Sequence, residues 1–363
     1  MDKSGGMQRD RKCYILLLIV TMILSTGCAG IAGDPKLNWQ PEQLLEEKNY
    51  LRISLPEDKE SVADMSYCQN AIYYFQTSPL NMRLDPEFFK VKKYDIDTEL
   101  TEILYEARAG TVLQDIVATQ NQLFWVEIIS ENGGIFWELV GYNIVDQKVE
   151  TLRHGRLGED TLAEPVLTLS GGYLLWTETD TTLLEHHYSY DLSSRIVKEE
   201  RTVSFEGTNP YIGDRMLGDS LFYLVTEDGR SELWEDDRCL YFSEEEVMSF
   251  SVADQALLWV YQPDNSVRSN ARYVPWTKGK KTGAETELPY EELFTARMFG
   301  NMIVCMISEG ENYYYAFLDV NTGKRHVLYP KKEWNNDFYY PWYSADQTVY
   351  LKGMGDCLIL KKQ

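Results

Sequence analysis

The chain has 363 residues, with 57 acidic against 35 basic side chains and a formal net charge of −22. So acidic a surface argues against nucleic acid as a partner, which needs basic patches that displace counterions, and against polybasic attachment to anionic lipid. It reads as charge that keeps the molecule soluble, with attraction of cationic partners as the alternative.

Lys3, Arg9, Arg11 and Lys12 precede an apolar run from Tyr14 to Leu24. A spanning helix takes roughly 20 apolar residues; this run of 11 suits the apolar region of a secretory signal. The residues that follow, Leu24-Ser25-Thr26-Gly27-Cys28, resemble the lipobox of bacterial lipoproteins, in which small residues precede a lipidated cysteine. Ser25 stands where that family most often has Leu. The resemblance implies cleavage after residue 27 and a Cys28 that carries palmitate-like acyl chains, two or more of which hold stably where one does not. The expected location is then the extracytoplasmic face of a cell membrane. A signal cut without lipidation and an uncleaved anchor are the alternatives. Loss of residues 1–27, which carry a net +2, takes the charge from −22 to −24.

Residues 28–45 open with Ala29-Gly30-Ile31-Ala32-Gly33-Asp34-Pro35, a composition that predicts a flexible tether. Pro41 to Glu47 predicts one or two helical turns, with proline at the start.

From residue 46 to 363 one pattern recurs: an apolar segment, a tight turn, then apolar residues ending in an aromatic or β-branched one. Copies start at Gln69, Asn121, Gly171, Gly218, Asp254, Gly300 and Asp346, at intervals of 36 to about 50 residues. A second hairpin follows, as in Tyr94-Asp95-Ile96-Asp97-Thr98, Tyr142-Asn143-Ile144-Val145-Asp146, Tyr190-Asp191-Leu192-Ser193-Ser194 and Leu318-Asp319-Val320-Asn321-Thr322-Gly323. Short runs of Val, Ile, Tyr, Phe and Trp between Gly, Asn and Asp turns predict strands. Four strands per repeat at this spacing predict an all-β fold, a β-propeller of seven four-stranded blades, with six or eight blades as the alternatives. The last copy holds only three strands, and Tyr50 to Leu55 is a strand without a blade; the expectation is that it completes the last blade and closes the ring. These hairpins resemble those of the TolB-like and WD40-like propeller lipoproteins common in Gram-positive bacteria, over residues 46 to 363. That resemblance implies the fold and no particular ligand.

A propeller binds where the loops in the middle of each blade and those before each innermost strand gather at one channel end. Among these loops Ser78 to Phe88 carries Arg83 and Asp85, and Pro263 to Arg272 carries Asp264, Asn265, Arg268 and Arg272. Loops on a rigid scaffold concentrate binding residues, though each of these serves equally as a solvated connection. Trp334 and Asn336 precede the last blade in the densest aromatic stretch of the chain; aromatic faces beside amides suit a sugar or peptide, with packing between blades as the other reading.

Cys68, Cys239, Cys305 and Cys357 sit in strand-like contexts without a CxxC pair and read as small buried hydrophobes. Adjacent His186 and His187 point to opposite faces of a strand and form no zinc pattern. Asp95 to Glu99 alternates carboxylates but lacks the glycine of a calcium loop. Lys278-Gly279-Lys280-Lys281 reads as a solvated hairpin tip. Nucleophile-elbow, phosphate-loop and zinc-helix motifs do not occur in the sequence. The expected function is therefore a lipid-anchored monomer without cofactor or metal, which binds an envelope protein, peptide or glycan without catalysis. An envelope glycosidase using paired carboxylates, and an assembly or sensor factor for secreted machinery, are the rivals.

Overall fold

The computed structural model describes residues 37–56, 62–76, 89–204, 215–227, 230–253, 255–262, 269–277, 280–290, 292–309, 312–329, 340–344, 348–353 and 355–361. They form seven sheets, each built on three or four antiparallel strands that follow one another in the chain. The innermost strands are Val62–Cys68, Thr111–Ala118, Thr168–Ser170, Arg215–Leu217, Glu246–Ala253, Leu293–Phe299 and Tyr340–Tyr343. The protein is an all-β, seven-bladed propeller, as the repeat predicts.

The second strand of each blade is the reason the repeat is so visible. In Ala71–Gln76, Gln122–Glu131, Tyr173–Thr179, Ala256–Gln262 and Met302–Glu309 runs of consecutive residues are buried. A blade has neighbours on both faces, so its middle strands lose the polar alternation of a half-solvated sheet. Outer strands such as Leu100–Glu106 are mostly exposed. Burial is accordingly divided among seven apolar clusters, one at each junction between neighbouring blades. Among the described residues the smallest is that of the third and fourth blades, with Leu175, Met216, Leu221 and Tyr223.

Side chains of the innermost strands stitch several blades to their neighbours. The Ile116 N–H donates to Asp64 at 3.0 Å and the Ala118 N–H to Ser66 at 3.0 Å, joining the first and second blades. Leu167 N–H donates to Asp115 at 3.1 Å, Met216 N–H to Ser170 at 3.0 Å and Met298 N–H to Ser251 at 3.2 Å. The second hairpins are closed by Asx turns: Asp95 accepts from Thr98, Asp191 from Ser193 and Ser194, and Asp319 from Asn321 and Thr322. Asp95 to Glu99 is thus a turn, as expected.

Closure follows the sequence expectation. Tyr50–Ser54 pairs antiparallel with Asp356–Leu360 and becomes the outer strand of the last blade. The expected tether over residues 28–45 is corrected in its described part. Glu42–Leu44 is a strand, parallel to Arg325–Leu328 at the edge of the sixth blade, and only Glu47–Asn49 makes a helical turn. The cause is an open sheet edge with free backbone groups: Gln40 N–H reaches Gly323 O and Leu45 N–H reaches Val327 O, both at 2.8 Å. Leu37 and Trp39 also pack on the junction of the fifth and sixth blades. Gly323 permits the crossing, since it sits at φ +69° and a Cβ there would lie 2.3 Å from Asn38 O.

Cys68, Cys305 and Cys357 are buried, as expected, while Cys239 is exposed; it lies on Arg238–Ser243, the solvent-side strand of the fourth blade. All four are free thiols.

The closing strand carries its own ion pair, Arg52 to the fully buried Asp356 at 2.5 Å. Loss of Arg52 takes a paired cation from a fully buried carboxylate, so Arg52→Ala is expected to cost about 3 kcal/mol. Urea denaturation checks this, with Leu51→Ala on the half-exposed face of the same strand expected to cost less than about 1 kcal/mol.

Candidate functional site

A cleft of about 460 Å³ opens between the second and third blades, at the end where the middle loops gather. Its first wall is Lys148–Arg156, the outer strand of the second blade, with the loop that follows; its second is formed by Tyr173–Thr179, Leu184–Asp191 and Ile196–Ser204 of the third. Strand register builds the second wall. Glu178, His186 and Thr202 lie side by side across three strands, and Trp176, Tyr188 and Glu199 form the neighbouring row. Bulges between Thr151 and Arg153, and between His187 and Tyr188, re-aim the side chains at the junction. Gly155 keeps the first wall thin: a Cβ there would lie 2.8 Å from the Trp137 ring, whose N–H donates to Thr161 at 2.8 Å and so holds the loop.

Two hydrogen-bonded groups fill the cleft. Arg153 reaches across from the second blade to grip Glu178 with both ends of its guanidinium, at 2.9 and 3.0 Å, and donates to the Tyr188 hydroxyl at 2.8 Å. Trp176 donates to the same carboxylate at 2.9 Å and stacks on Tyr188 with ring centres 5.5 Å apart. The bond to Glu178 raises the Arg153 pKa, and burial raises that of Tyr188.

In the second group His186 bridges two carboxylates, Nδ1 to Glu199 at 2.9 Å and Nε2 to Asp180 at 3.2 Å. Carboxylates only accept, so both contacts are made when both ring nitrogens carry protons. Burial opposes that charge, but the bonds to Glu199 and Asp180 outweigh it and the His186 pKa is raised. Asp180 is held far below the usual carboxylate range by the Leu184 N–H, by Thr182 and then by His186. Glu199 is lowered by His186 and Thr202.

Of the candidates named from the sequence, Cys28, Arg83, Asp85, Asp264, Asn265, Arg268, Trp334 and Asn336 lie outside the described residues. Arg272 is described and is engaged within its own blade, by Glu287 at 2.8 Å, Glu245 at 3.3 Å and Glu285 at 3.6 Å. His186 and His187 do point to opposite faces, but His186 lines the cleft and His187 is buried against Tyr223. Asp180 lies in the middle loop of the third blade and Asp160 and Thr161 in the loop before its innermost strand, the two kinds of loop in which the sequence places binding; no motif marks the other cleft residues. Among the described residues no group of His, Cys, Asp and Glu is arranged to hold a metal ion.

The glycosidase reading asks for two acids, one with a raised pKa. Asp115, pushed up to about 6 by burial and then by Asp64, comes nearest. Both of these acids are occupied in stitching the ring, and Asp64 also pairs with Lys352 at 2.5 Å.

No family model matches the chain, and no curated protein sequence matches it. Its fold is similar to that of the β-propeller domain of the trilobed protease from Pyrococcus furiosus, with a TM-score of 0.56, 10% identity and coverage of 81% of this chain and 89% of that one. A chain of the mitotic checkpoint complex matches at 0.51 and 11% identity over 91% and 94% of the two chains. Pyrococcus horikoshii acylaminoacyl peptidase matches at 0.53 and 8% identity over 82% of this chain and half of that one. The likeness shows the propeller fold. The protease propeller has an open velcro topology, whereas this ring is latched by Tyr50–Ser54.

A raised histidine pKa stabilises the fold fully below the unfolded value of 6.5 and ceases to as pH rises through the folded value. Asp180 and Glu199, both lowered, lose their contribution only in acid. His186→Gln is therefore expected to cost most at about pH 5.5 and little at about pH 8.5, as measured by chemical denaturation across that range.

Proposed function

We propose that the protein is a lipid-anchored extracytoplasmic propeller that binds a basic peptide segment of an envelope protein through the cleft between its second and third blades, without covalent chemistry. The observation that carries this reading is the charge of the cleft: Asp160, Glu178, Asp180 and Glu199 line it against Arg153 and His186. Arg153 and Glu178 neutralise each other, which leaves acceptors in excess whenever the imidazole gives up its proton. The walls are strands of two packed blades, so a ligand meets side chains already positioned and little ordering entropy is lost on binding. Tyr188 and Trp176 add a flat apolar surface beside the charges.

Anchoring rests on the lipobox-like Leu24 to Cys28. Cys28 precedes Leu37, where the chain is already packed on the ring, by nine residues, a span of at most roughly 30 Å. The sixth and seventh blades, which carry the N-terminal strands, then lie toward the membrane.

Two readouts test the proposal. Cells fed a palmitate analogue are expected to label the wild-type chain and not Cys28→Ala. Arrayed basic, neutral and acidic decapeptides and cell-wall glycan fragments are then offered to the purified chain at about pH 8. Retention of basic peptides, falling about 10-fold in Asp180→Asn/Glu199→Gln with the melting temperature kept, supports the binding site; one charge-assisted contact is worth about that. Retention of glycans alone, or binding indifferent to the double substitution, overturns it.

A further inference from the structure

The axis of the ring encloses a cavity of about 70 Å³ to which the innermost strands of all seven blades contribute. Its chemistry is opposite to that of the surface. Among the described residues that line it are Arg215, Arg297, Ser66, Thr168, Ser251 and Trp342, and no carboxylate. Arg297 makes no hydrogen bond or ion pair with any described residue; its guanidinium lies over the Trp342 ring, 4.7 Å from the centre. Burial lowers its pKa, yet a guanidinium remains charged at neutral pH. Arg297 is half-buried; a charge left without a partner in a narrow channel is poorly solvated, and arginine cannot be neutralised by losing its proton.

Other donors on the same wall are also unsatisfied. The Trp342 Nε1–H is buried without a hydrogen-bond partner. Ser251 Oγ accepts from the Met298 N–H, which leaves its own proton to give. Ser66 Oγ accepts from the Ala118 N–H and shares one further contact with the Tyr350 hydroxyl at 3.4 Å. Among the described residues the cavity is thus rich in donors and lined by no carboxylate.

We propose that the central channel is a binding site for a small oxyanion or carboxylate, held by Arg297 with the Trp342 indole N–H and the Ser251 and Thr168 hydroxyls, and facing Arg215 from the fourth blade. The donors and the charge set the class; a water needs about 10–15 Å³ of such space, so 70 Å³ gives room for an anion of a few heavy atoms. Such an anion touches residues of at least four blades and ties the ring together at its centre. The site is separate from the cleft, and its failure would leave the cleft reading untouched.

Thermal unfolding of the full chain tests this, with phosphate, sulfate, acetate or chloride added at constant ionic strength held by gluconate, the bulkiest of these anions. At 100-fold over its dissociation constant a bound anion is expected to raise Tm by about 4 °C; a preference for acetate over phosphate and sulfate identifies a carboxylate site, and the reverse an oxyanion site. Arg297→Met is expected to abolish the response and to melt no lower than the wild type in gluconate alone, because the uncompensated charge is gone. Trp342→Phe, which removes only the N–H, is expected to weaken the anion several-fold. Crystals of the wild type grown in selenate give an independent reading: an anomalous peak within hydrogen-bond distance of Arg297 supports the site. Equal Tm responses in wild type and Arg297→Met, or a channel that holds water alone in selenate, overturns it.

Discussion

A ring of sheets has no edge to protect only if its two ends find each other, and here they do so across almost the whole chain. Arg52 and Asp356, 304 positions apart, pair on neighbouring strands. Until that happens the last blade has three strands and an open side, and the apolar clusters it shares with the sixth and first blades stay incomplete. The chain makes this contact firmer by crossing the edge of the sixth blade first, through Glu42–Leu44, before it enters the seventh. Two successive edges are covered by one short segment, so the loop-closure entropy is offset by hydrogen bonds in two sheets.

The junctions are not built alike. Among the described residues most hold ten or so buried apolar side chains, and that of the third and fourth blades holds four. Arg201 lies over Tyr223, 3.4 Å from the ring centre, and His187 lies beside the same ring, so cation–π and polar packing add to aliphatic burial there. On its other side the third blade is joined to the second across the cleft by Arg153 and Glu178.

Much of the fold was legible because a propeller writes itself locally. A strand covered on both faces, such as Leu123-Phe124-Trp125-Val126, is apolar without interruption, and the turns beside it need residues tolerant of positive φ, as at Asn70, Gly172, Gly218 and Gly300. Even the closing strand could be inferred, by counting three strands where four were due. Glu42–Leu44 could not: it pairs through its backbone with all three side chains exposed, and Pro41 imitates a helix start. The cleft was hidden for a related reason. Its residues are ordinary polar positions on outer and middle strands, and only the bulges at Arg153 and Tyr188 and the packing of one blade on another bring them together. In sequence they are indistinguishable from the acidic residues that merely face solvent.

The cleft and the channel differ in a way that bears on what each can hold. Blades pack through apolar clusters, so any polar group at a junction must be satisfied by another junction residue or by something from outside. In the cleft the groups satisfy one another: Arg153 has Glu178, and His186 has Asp180 and Glu199. A ligand there exchanges existing bonds for its own, which favours modest affinity with discrimination by charge and shape. In the channel Arg297 and the Trp342 N–H have no such partner among the described residues, and an anion that entered would form bonds without breaking any in the protein. The acidic surface around a cationic axis opposes the approach of anions, and attraction begins only where Arg297 is reached. In the roles proposed for them, the cleft therefore suits reversible exchange of existing bonds and the channel a small occupant that adds bonds of its own.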